Sequence, residues 1–289
     1  MNCRVDILSS ESNEYHIDVI NEEGNAVDLL ASVSPFSKQK IKQFMQKGAV
    51  WLTDNKGTHR LRRKSKKLSS GMTLHLYYDP SVLDNTVDDA ILVADEGDYS
   101  VWYKPRGMLS QGSKWGDHCA INRWVEQHLE PQRPAFIIHR LDRFASGLIL
   151  IAHKKSTASL LADLFQKKKI TKQYKVIVNG KFPSDTITIN TPLGDKPAVS
   201  HASLIHYDES KNKSLLSVDI ETGRKHQIRI HLSSINYPVM GDRRYGYKDE
   251  GVDLQLSACR LSFIDPINGD KKKYELDASL QPDIKSLPD

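Results

Sequence analysis

The sequence predicts an α+β protein, with a large domain built on a largely antiparallel, mixed sheet with flanking helices and a small α/β module ahead of it. Short runs rich in β-branched residues, such as residues 136–138 and 148–152, are typical of buried strands. Asn268-Gly269 is a hairpin signal between apolar segments at residues 260–264 and 273–276. The length of 289 residues exceeds that of one typical domain and favours about two.

Positive charge is concentrated in one short part of the chain. Residues 1–35 have a net charge of −6, residues 36–78 have +10 and the remaining residues have +1. A dense cationic patch attracts polyanions by releasing their counterions, whereas an even spread of charge mostly favours solubility. We therefore expect this part of the chain to bind a polyanion. A solvated charged face without a dedicated ligand is the alternative.

The basic segment has the pattern of a compact helix and strand module. Residues 36–47 predict a helix that ends at Gly48, because four apolar residues recur on one helical face. Those residues are Phe36, Ile41, Phe44 and Met45. Strands are predicted at residues 49–52 and 73–77. The chain thus divides into an N-terminal extension (1–25), the module (26–80), a linker (81–92) and the large domain (93–289).

Periodicity also predicts elements inside the large domain. Helical spacing indicates one helix around residues 156–166, capped by Ser156 or Thr157, and another around residues 228–235. Alternating apolar residues predict a strand over residues 216–220.

The segment at residues 139–145 places an acid between two arginines. Asp142 lies between Arg140 and Arg143, in a predicted loop between two buried strands. A carboxylate in such a loop can face a substrate, and the neighbouring guanidinium groups favour its ionised form. A loop aspartate that only pairs with an arginine is the structural alternative, since such pairs are common.

Four motifs, in order along the chain, resemble those of the RluA-type pseudouridine synthases. They are residues 99–107, 139–152, 172–178 and 222–246, within a similarity that covers about residues 91–278. The resemblance implies the pseudouridine synthase fold and an enzyme that flips a uridine out of RNA and isomerises it, with no cofactor and no metal. The basic module resembles the S-four-like RNA-binding domain, which implies a structured RNA as partner.

The resemblance also implies roles for individual residues. Asp142 matches the catalytic carboxylate, Arg229 the basic residue that pairs with it, and Tyr174 the tyrosine that lies against the uracil. Arg140 matches the residue that fills the gap left by the flipped uridine, and Leu256 the apolar residue beneath the base. Without the motifs, Arg229 would be interpreted as a surface cation, and Tyr174 and Leu256 as core residues.

Further residues are expected to contact RNA. In the module they are Lys38, Lys40, Arg62 and Arg63. In the large domain, backbone contact and support of sheet ends are both open, with a structural role at least equally favoured for the last three residues of the set Lys104, Arg224, His226, Arg243 and Arg244. One departure from the family pattern is Ala145, which stands where a threonine is usual. It removes a hydroxyl beside the expected catalytic carboxylate.

Three other functions are weighed against this one. A glycoside hydrolase or nucleosidase usually has a second carboxylate opposite the first, whereas Glu221 and Asp242 lie in other motifs beside basic residues. A metal-dependent nuclease would use His226, His231 and Asp242, but a spacing of five on a helix directs the two histidines to different faces. An RNA-binding protein without catalysis would explain the basic module equally well.

Composition sets the expected compartment and partners. Three widely spaced cysteines form neither a disulfide framework nor a zinc pattern, and we find no signal peptide or apolar run long enough to span a membrane. We therefore expect a soluble, cytoplasmic monomer without a membrane partner. Large-subunit ribosomal RNA is the expected substrate, because in the family an S-four-like module often accompanies ribosomal targets; transfer RNA is the alternative.

Overall fold

The computed structural model describes residues 11–20, 25–247 and 251–287. The chain divides into two units, with divisions after residues 86, 110 and 124, so that residues 111–124 belong to the first unit. The domain limits inferred from sequence did not include this return of the chain. Those limits remain predictions.

The first unit contains a four-stranded antiparallel sheet in the order β1-β4-β2-β3. Its strands are β1 (Asn13–Asp18), β2 (Val50–Asp54), β3 (Gly57–Arg60) and β4 (Thr73–Tyr78). The strands predicted at residues 49–52 and 73–77 are thereby confirmed within a residue or two. β1 lies inside the segment that we predicted to be an extension, and it pairs along its whole length with β4.

Three helices accompany this sheet, and they are α1 (Ala26–Val33), α2 (Lys38–Lys47) and α3 (Pro80–Leu83). The predicted helix corresponds to α2. Ser37 caps its N-terminus by accepting a hydrogen bond from the Lys40 amide at 3.2 Å. Gly48 ends it in the left-handed conformation at φ 80°, which glycine adopts without steric cost. The predicted apolar face is buried against the sheet together with the buried face of α1.

The second unit contains a ten-stranded sheet that is antiparallel except where β8 and β13 run parallel. Its strands are β5 (Ile91–Asp95), β6 (Tyr99–Lys104), β7 (Phe136–Ile137), β8 (Ser146–Ala152), β9 (Thr171–Asn179), β10 (Ile187–Ile189), β11 (Ser200–Asp208), β12 (Lys213–Ile220), β13 (Leu256–Ile264) and β14 (Lys271–Glu275). The main order is β10-β11-β12-β9-β13-β8-β6-β5, with β14 beside β13 and β7 beside β8. This arrangement confirms the predicted α+β class, the largely antiparallel sheet and the hairpin at Asn268-Gly269.

The remaining helices are α4 (Ile121–His128), α5 (Lys155–Gln166) and α6 (Gln227–Ser234), followed by 3₁₀ turns at Ala278–Leu280 and Ile284–Ser286. The predicted cap of α5 is wrong. The helix begins two residues earlier, with Lys154 at the cap position and no side-chain cap, and the Thr157 hydroxyl instead bonds Asp98 at 3.4 Å. Each helix of the described residues is too short or too polar to cross a lipid bilayer.

A single glycine permits the parallel contact between two strands that are distant in the sequence. Gly147 on β8 lies opposite Ala258 on β13, with a φ of 118° that L side chains rarely adopt. A Cβ atom at this position would overlap the backbone of Ala258. The loop between β7 and β8, which contains Asp142, is thus held against the start of β13 and beside β9.

Candidate active site

The loop at residues 139–145 is fixed by polar contacts with the segment that follows β6. The Ser110 hydroxyl donates to the Leu141 carbonyl at 2.8 Å and accepts from the Leu141 amide at 3.0 Å. The Gly107 amide donates to the Arg143 carbonyl at 2.9 Å. These bonds determine the backbone position on both sides of Asp142, so its carboxylate is presented from an ordered turn.

Lys104 supports the same loop from inside the protein. Its ammonium group is fully buried and donates to the carbonyls of Pro105, Met108 and Ala145 at 3.0, 2.9 and 2.7 Å, with Arg143 at 3.3 Å. Burial lowers the pKa of Lys104 to about 7, and the charge of Asp142 opposes that change. Four carbonyl oxygens also favour the ammonium form. We expected Lys104 at an RNA-facing position, but the structure places it beneath the loop.

Asp142 shares one arginine with a second carboxylate. Arg229, on α6, donates from Nη1 to Asp142 Oδ2 at 3.3 Å. Its other two nitrogens, Nε and Nη2, bond the two oxygens of Asp242 at 2.7 Å each. The Asp242 side chain is fully buried, whereas the Asp142 side chain is 22% exposed. Asp242 therefore holds the guanidinium plane, and the partly exposed Asp142 receives only one longer bond from Arg229.

The protonation of this triad follows from its bonds. Burial alone would raise the pKa of Asp242, but the bonds from Arg229 and from the Tyr245 and Arg244 amides lower it overall. Burial would lower the pKa of Arg229, and Asp242 and then Asp142 raise it overall. The Asp242–Arg229 pair is thus held in its ionised form.

Tyr174 and Leu256 lie in the cavity beside Asp142. The cavity has a volume of about 70 Å³, and its lining also includes Arg140, Arg224 and Ala145. Tyr174 is on β9 and packs against the apolar core of the sheet, and Leu256 opens β13 and is buried. Burial, and then the charge of Asp142, raises the pKa of the Tyr174 hydroxyl. The tyrosine is therefore a neutral phenol at neutral pH, in the lining of the cavity.

His226 approaches Asp142 from the N-terminus of α6. Its Nε2 is 3.8 Å from Asp142 Oδ1, and its Nδ1 lies 2.9 Å from the hydroxyl of Tyr245. The residue has a φ of 56°, which is uncommon for a side chain of this size. Burial lowers the pKa of His226, and the charge of Asp142 acts in the opposite direction. His226 thus has partners within the site and lines its cavity, and its contact with RNA remains a prediction.

Comparisons with known proteins place this geometry in a family. The family model for RNA pseudouridylate synthase matches residues 98–234. An RNA pseudouridine synthase of Aquifex aeolicus is 30% identical over 304 residues, covering 93% of this chain and 94% of the relative. The chain belongs to the RNA pseudouridine synthase family. It is accordingly an RNA pseudouridine synthase, an isomerase, as the motifs implied.

Two other comparisons agree with this assignment. Ribosomal large subunit pseudouridine synthase D of Blochmanniella floridana is 30% identical to the synthase described here over 190 residues, covering 55% of this chain and 58% of the relative. The solved structure of human RNA Pseudouridylate Synthase Domain Containing 1 has a TM-score of 0.58 at 20% identity, covering 68% of this chain and 87% of that one. The latter match shows the shared fold.

The remaining arginines of the predicted site lie at the rim of the cavity in the synthase. Arg140 and Arg224 are exposed, and the Nε of Arg224 donates to the Pro197 carbonyl at 3.1 Å. The backbone amide of Arg224 bonds Gln227 at 3.1 Å, which ties the rim to α6. Both guanidinium groups remain candidates for contact with RNA phosphates.

The basic residues of the first unit differ in their availability. Lys38 and Arg63 are exposed, although Lys38 pairs with Asp28 at 2.7 Å, and Lys40 lies 5.7 Å from the Phe44 ring centroid. Arg62 is half-buried. Its guanidinium pairs with Asp117 and bonds the Gln46 carbonyl at 2.8 Å. The structure therefore assigns Arg62 a structural contact, and RNA binding by the other three remains a prediction.

The residues considered for other chemistries are engaged elsewhere. The two ring nitrogens of His231 bond the Ser200 hydroxyl and the Thr191 carbonyl, both at 2.9 Å. His231 therefore does not form a metal site with His226. Glu221 is exposed and lies 3.0 Å from His201. Among the residues that the structure describes, we find no group of three potential metal ligands.

Sequence reasoning missed two members of the site. The motif at residues 241–246 had been noted for Arg243 and Arg244, but its acid, Asp242, is the residue that holds Arg229. Tyr245 was not singled out, although its ring lies 5.1 Å from the Arg229 guanidinium and its hydroxyl bonds His226. An acid directly after a glycine in an otherwise basic motif is a signal that could have identified Asp242.

Proposed function

We propose that this synthase isomerises uridine in large-subunit ribosomal RNA and that Asp142 is the carboxylate on which the reaction depends. The observation that supports Asp142 is its position: it is the partly exposed end of the Asp242–Arg229–Asp142 triad, in a cavity that also contains Tyr174. The large-subunit substrate is supported by the similarity to ribosomal large subunit pseudouridine synthase D of Blochmanniella floridana. The net charge of +10 in residues 36–78 agrees with a polyanionic substrate.

The reaction exchanges two bonds at one ribose carbon. The bond from C1′ to uracil N1 breaks, the bond from C1′ to C5 forms, the proton on C5 leaves, and N1 gains a proton. An ionised carboxylate beside the sugar is required either as a nucleophile or as a base. Asp142 meets this requirement, because Arg229 stabilises its anionic form with a single bond of 3.3 Å and leaves the other oxygen free of that arginine.

Other residues of the cavity fit supporting roles. The neutral ring of Tyr174 provides a face against which the uracil can lie during its rotation, and the apolar side chain of Leu256 limits water below it. Arg140 is exposed at the rim, where a side chain can occupy the place of the flipped nucleotide. Base flipping costs a few kcal/mol, and such an insertion offsets part of that cost.

Loss of tritium from C5 of uracil tests the proposal directly. RNA labelled at that carbon is divided into ribosomal and transfer RNA fractions and incubated with wild type, Asp142→Asn and Glu221→Gln. We expect release from ribosomal RNA by wild type and by Glu221→Gln, an exposed acid of the same region, and no release by Asp142→Asn. RNA binding by Asp142→Asn should stay near wild type.

Three outcomes would contradict parts of this proposal. Turnover by Asp142→Asn near the wild-type rate would remove Asp142 from the mechanism. Release from transfer RNA alone would replace the substrate. Release of free uracil in place of pseudouridine would favour the nucleosidase alternative. Such an enzyme usually has a second carboxylate. Among the described residues, the acid that pairs with Arg229 besides Asp142 is Asp242, which is fully buried.

A further inference from the structure

A second cavity adjoins the first at Asp142. Its volume is about 320 Å³, which is several times that of the first cavity. This volume is at the lower end of the range of small-molecule pockets. Asp142, His226 and Arg229 line both cavities. An occupant of the second cavity would therefore be an immediate neighbour of a uridine held at Asp142.

One wall of this cavity is aromatic and unusually open. Phe144 follows Asp142 by two residues and is 54% exposed, although it is the kind of side chain that ordinarily contributes to a core. The guanidinium of Arg143 lies 5.3 Å from the centroid of its ring. A phenyl ring beside a guanidinium is the combination on which nucleobases stack in single-stranded nucleic acid complexes.

The opposite wall is apolar at its base and cationic at its edge. Gly241, at φ 75°, approaches the backbone of Asp253 so closely that a Cβ would overlap it, and this contact brings Leu254 under the cavity. Arg243 and Arg244 are exposed at the edge of the same wall. Apolar surface suits the faces of a base, and arginines suit the phosphate attached to it.

We propose that this cavity binds a second base of the substrate RNA, that of a nucleotide adjacent to the target uridine, by stacking it on Phe144. The inference rests on the proposed function, because it places the target at Asp142. The occupant is a nucleotide and not a free metabolite because the cavity shares three lining residues with the first one and is lined by four arginines, Arg143, Arg229, Arg243 and Arg244. This second site would contribute affinity and sequence context without taking part in the exchange of bonds.

Steady-state kinetics of two substitutions test the stacking. Phe144→Ala should raise KM for C5-tritiated large-subunit ribosomal RNA roughly tenfold with little change in kcat, because the ring touches no reacting atom and base stacking has about this value. Phe144→Trp should keep KM within about twofold of wild type. Leu160→Ala, which truncates an equally exposed apolar side chain on α5, is the matched control and should change neither constant.

Short RNAs test whether the occupant is a neighbour of the target. The trinucleotide UUU and two versions that lack the base on the 5′ or the 3′ side of the central uridine are used as competitive inhibitors of tritium release. For wild type, removal of one particular flanking base should weaken inhibition roughly tenfold, and for Phe144→Ala that removal should have no effect. Equal inhibition by the three RNAs, absence of inhibition by all of them, or a lower kcat with unchanged KM in Phe144→Ala would overturn the proposal.

These results separate the two proposals. If wild type releases no tritium from ribosomal RNA, the proposed substrate fails before the second cavity is tested, and the same trinucleotides are then measured by direct binding to wild type and Phe144→Ala. If wild type releases tritium and Phe144→Ala is unaffected, only the inference about the second cavity fails.

Discussion

Replacing Asp242 with asparagine tests whether the buried carboxylate sets the geometry of the active site. The change keeps the size of the side chain. It puts an NH₂ group in place of one of the two oxygens that, in the wild type, accept from Arg229 at 2.7 Å. Two donors then face each other in a buried position. Removing one partner of a buried ion pair costs about 3–5 kcal/mol. The retained oxygen can still accept from the Arg244 and Tyr245 amides. We therefore expect the free energy of unfolding to fall by about 3 kcal/mol, the lower limit of this range.

Two measurements follow from this geometry. Urea denaturation of wild type and Asp242→Asn gives the loss in the free energy of unfolding, with Asp185→Asn, an exposed loop acid, as the control. Tritium release gives the activity. Without Asp242, the guanidinium of Arg229 can turn both of its outer nitrogens toward Asp142, which would tie up the free carboxylate oxygen. We therefore expect kcat to fall by more than tenfold, and KM to change less.

The pH dependence supplies an independent check. The folded-state pKa of Asp242 is lowered, so its contribution to stability is present above the unfolded value of about 3.9 and is lost as the pH falls through the folded value. The Asp242→Asn variant should therefore not show this loss of stability at low pH. A destabilisation below about 1 kcal/mol together with unchanged kcat would refute the view that Asp242 positions Arg229.

Three further predictions concern other parts of the molecule. Gly147→Ala should lower the free energy of unfolding by about 3 kcal/mol, because its Cβ would overlap the backbone of Ala258; a denaturation curve like that of wild type would contradict this. Burial, with a smaller effect of Lys172, lowers the pKa of His139 to about 3, so the unfolded chain gains a proton below about pH 6.5 and the folded chain does not. Stability should thus decrease as the pH falls from about 6.5 toward 3, and His139→Gln, which retains an acceptor for the Leu150 amide, should remove that part of the decrease. Arg63→Ala should reduce the slope of the salt dependence of RNA binding by about one unit without loss of stability. Arg62→Ala should instead lower the free energy of unfolding by about 1–2 kcal/mol. Equal effects of the two substitutions on either measurement would contradict the structural role of Arg62.

The elements that sequence reasoning predicted correctly are those with local signals. The helix α2 has an apolar face, a serine cap and a terminal glycine within twelve residues, and α6 has apolar residues at helical spacing. The hairpin between β13 and β14 is specified by its turn. Each of these patterns is complete within a few residues, so a single sequence is enough to recognise it.

The features that were missed depend on distant pairing. β1 is an acidic, polar strand whose regularity comes from β4, almost sixty residues later, and an acidic segment alone gives little sign of this. Residues 111–124 return to the first unit because Asp117 pairs with Arg60 and Arg62, and no periodic pattern reports such a contact. The pairing of Asp242 with Arg229 is of the same kind, since it connects a loop to a helix that ended several residues before.

The central position of β13 has a consequence for how the protein becomes active. The strand joins β9 to β8, yet it follows the end of the region matched by the family model at residue 234. Asp142 and Arg229 are 87 positions apart, and the strand that aligns their supporting elements follows both of them in the chain. Contacts of such long range close late and slowly during folding. A nascent chain should therefore acquire its catalytic geometry only once β13 has been synthesised, and a fragment cut at residue 234 should lack a folded site.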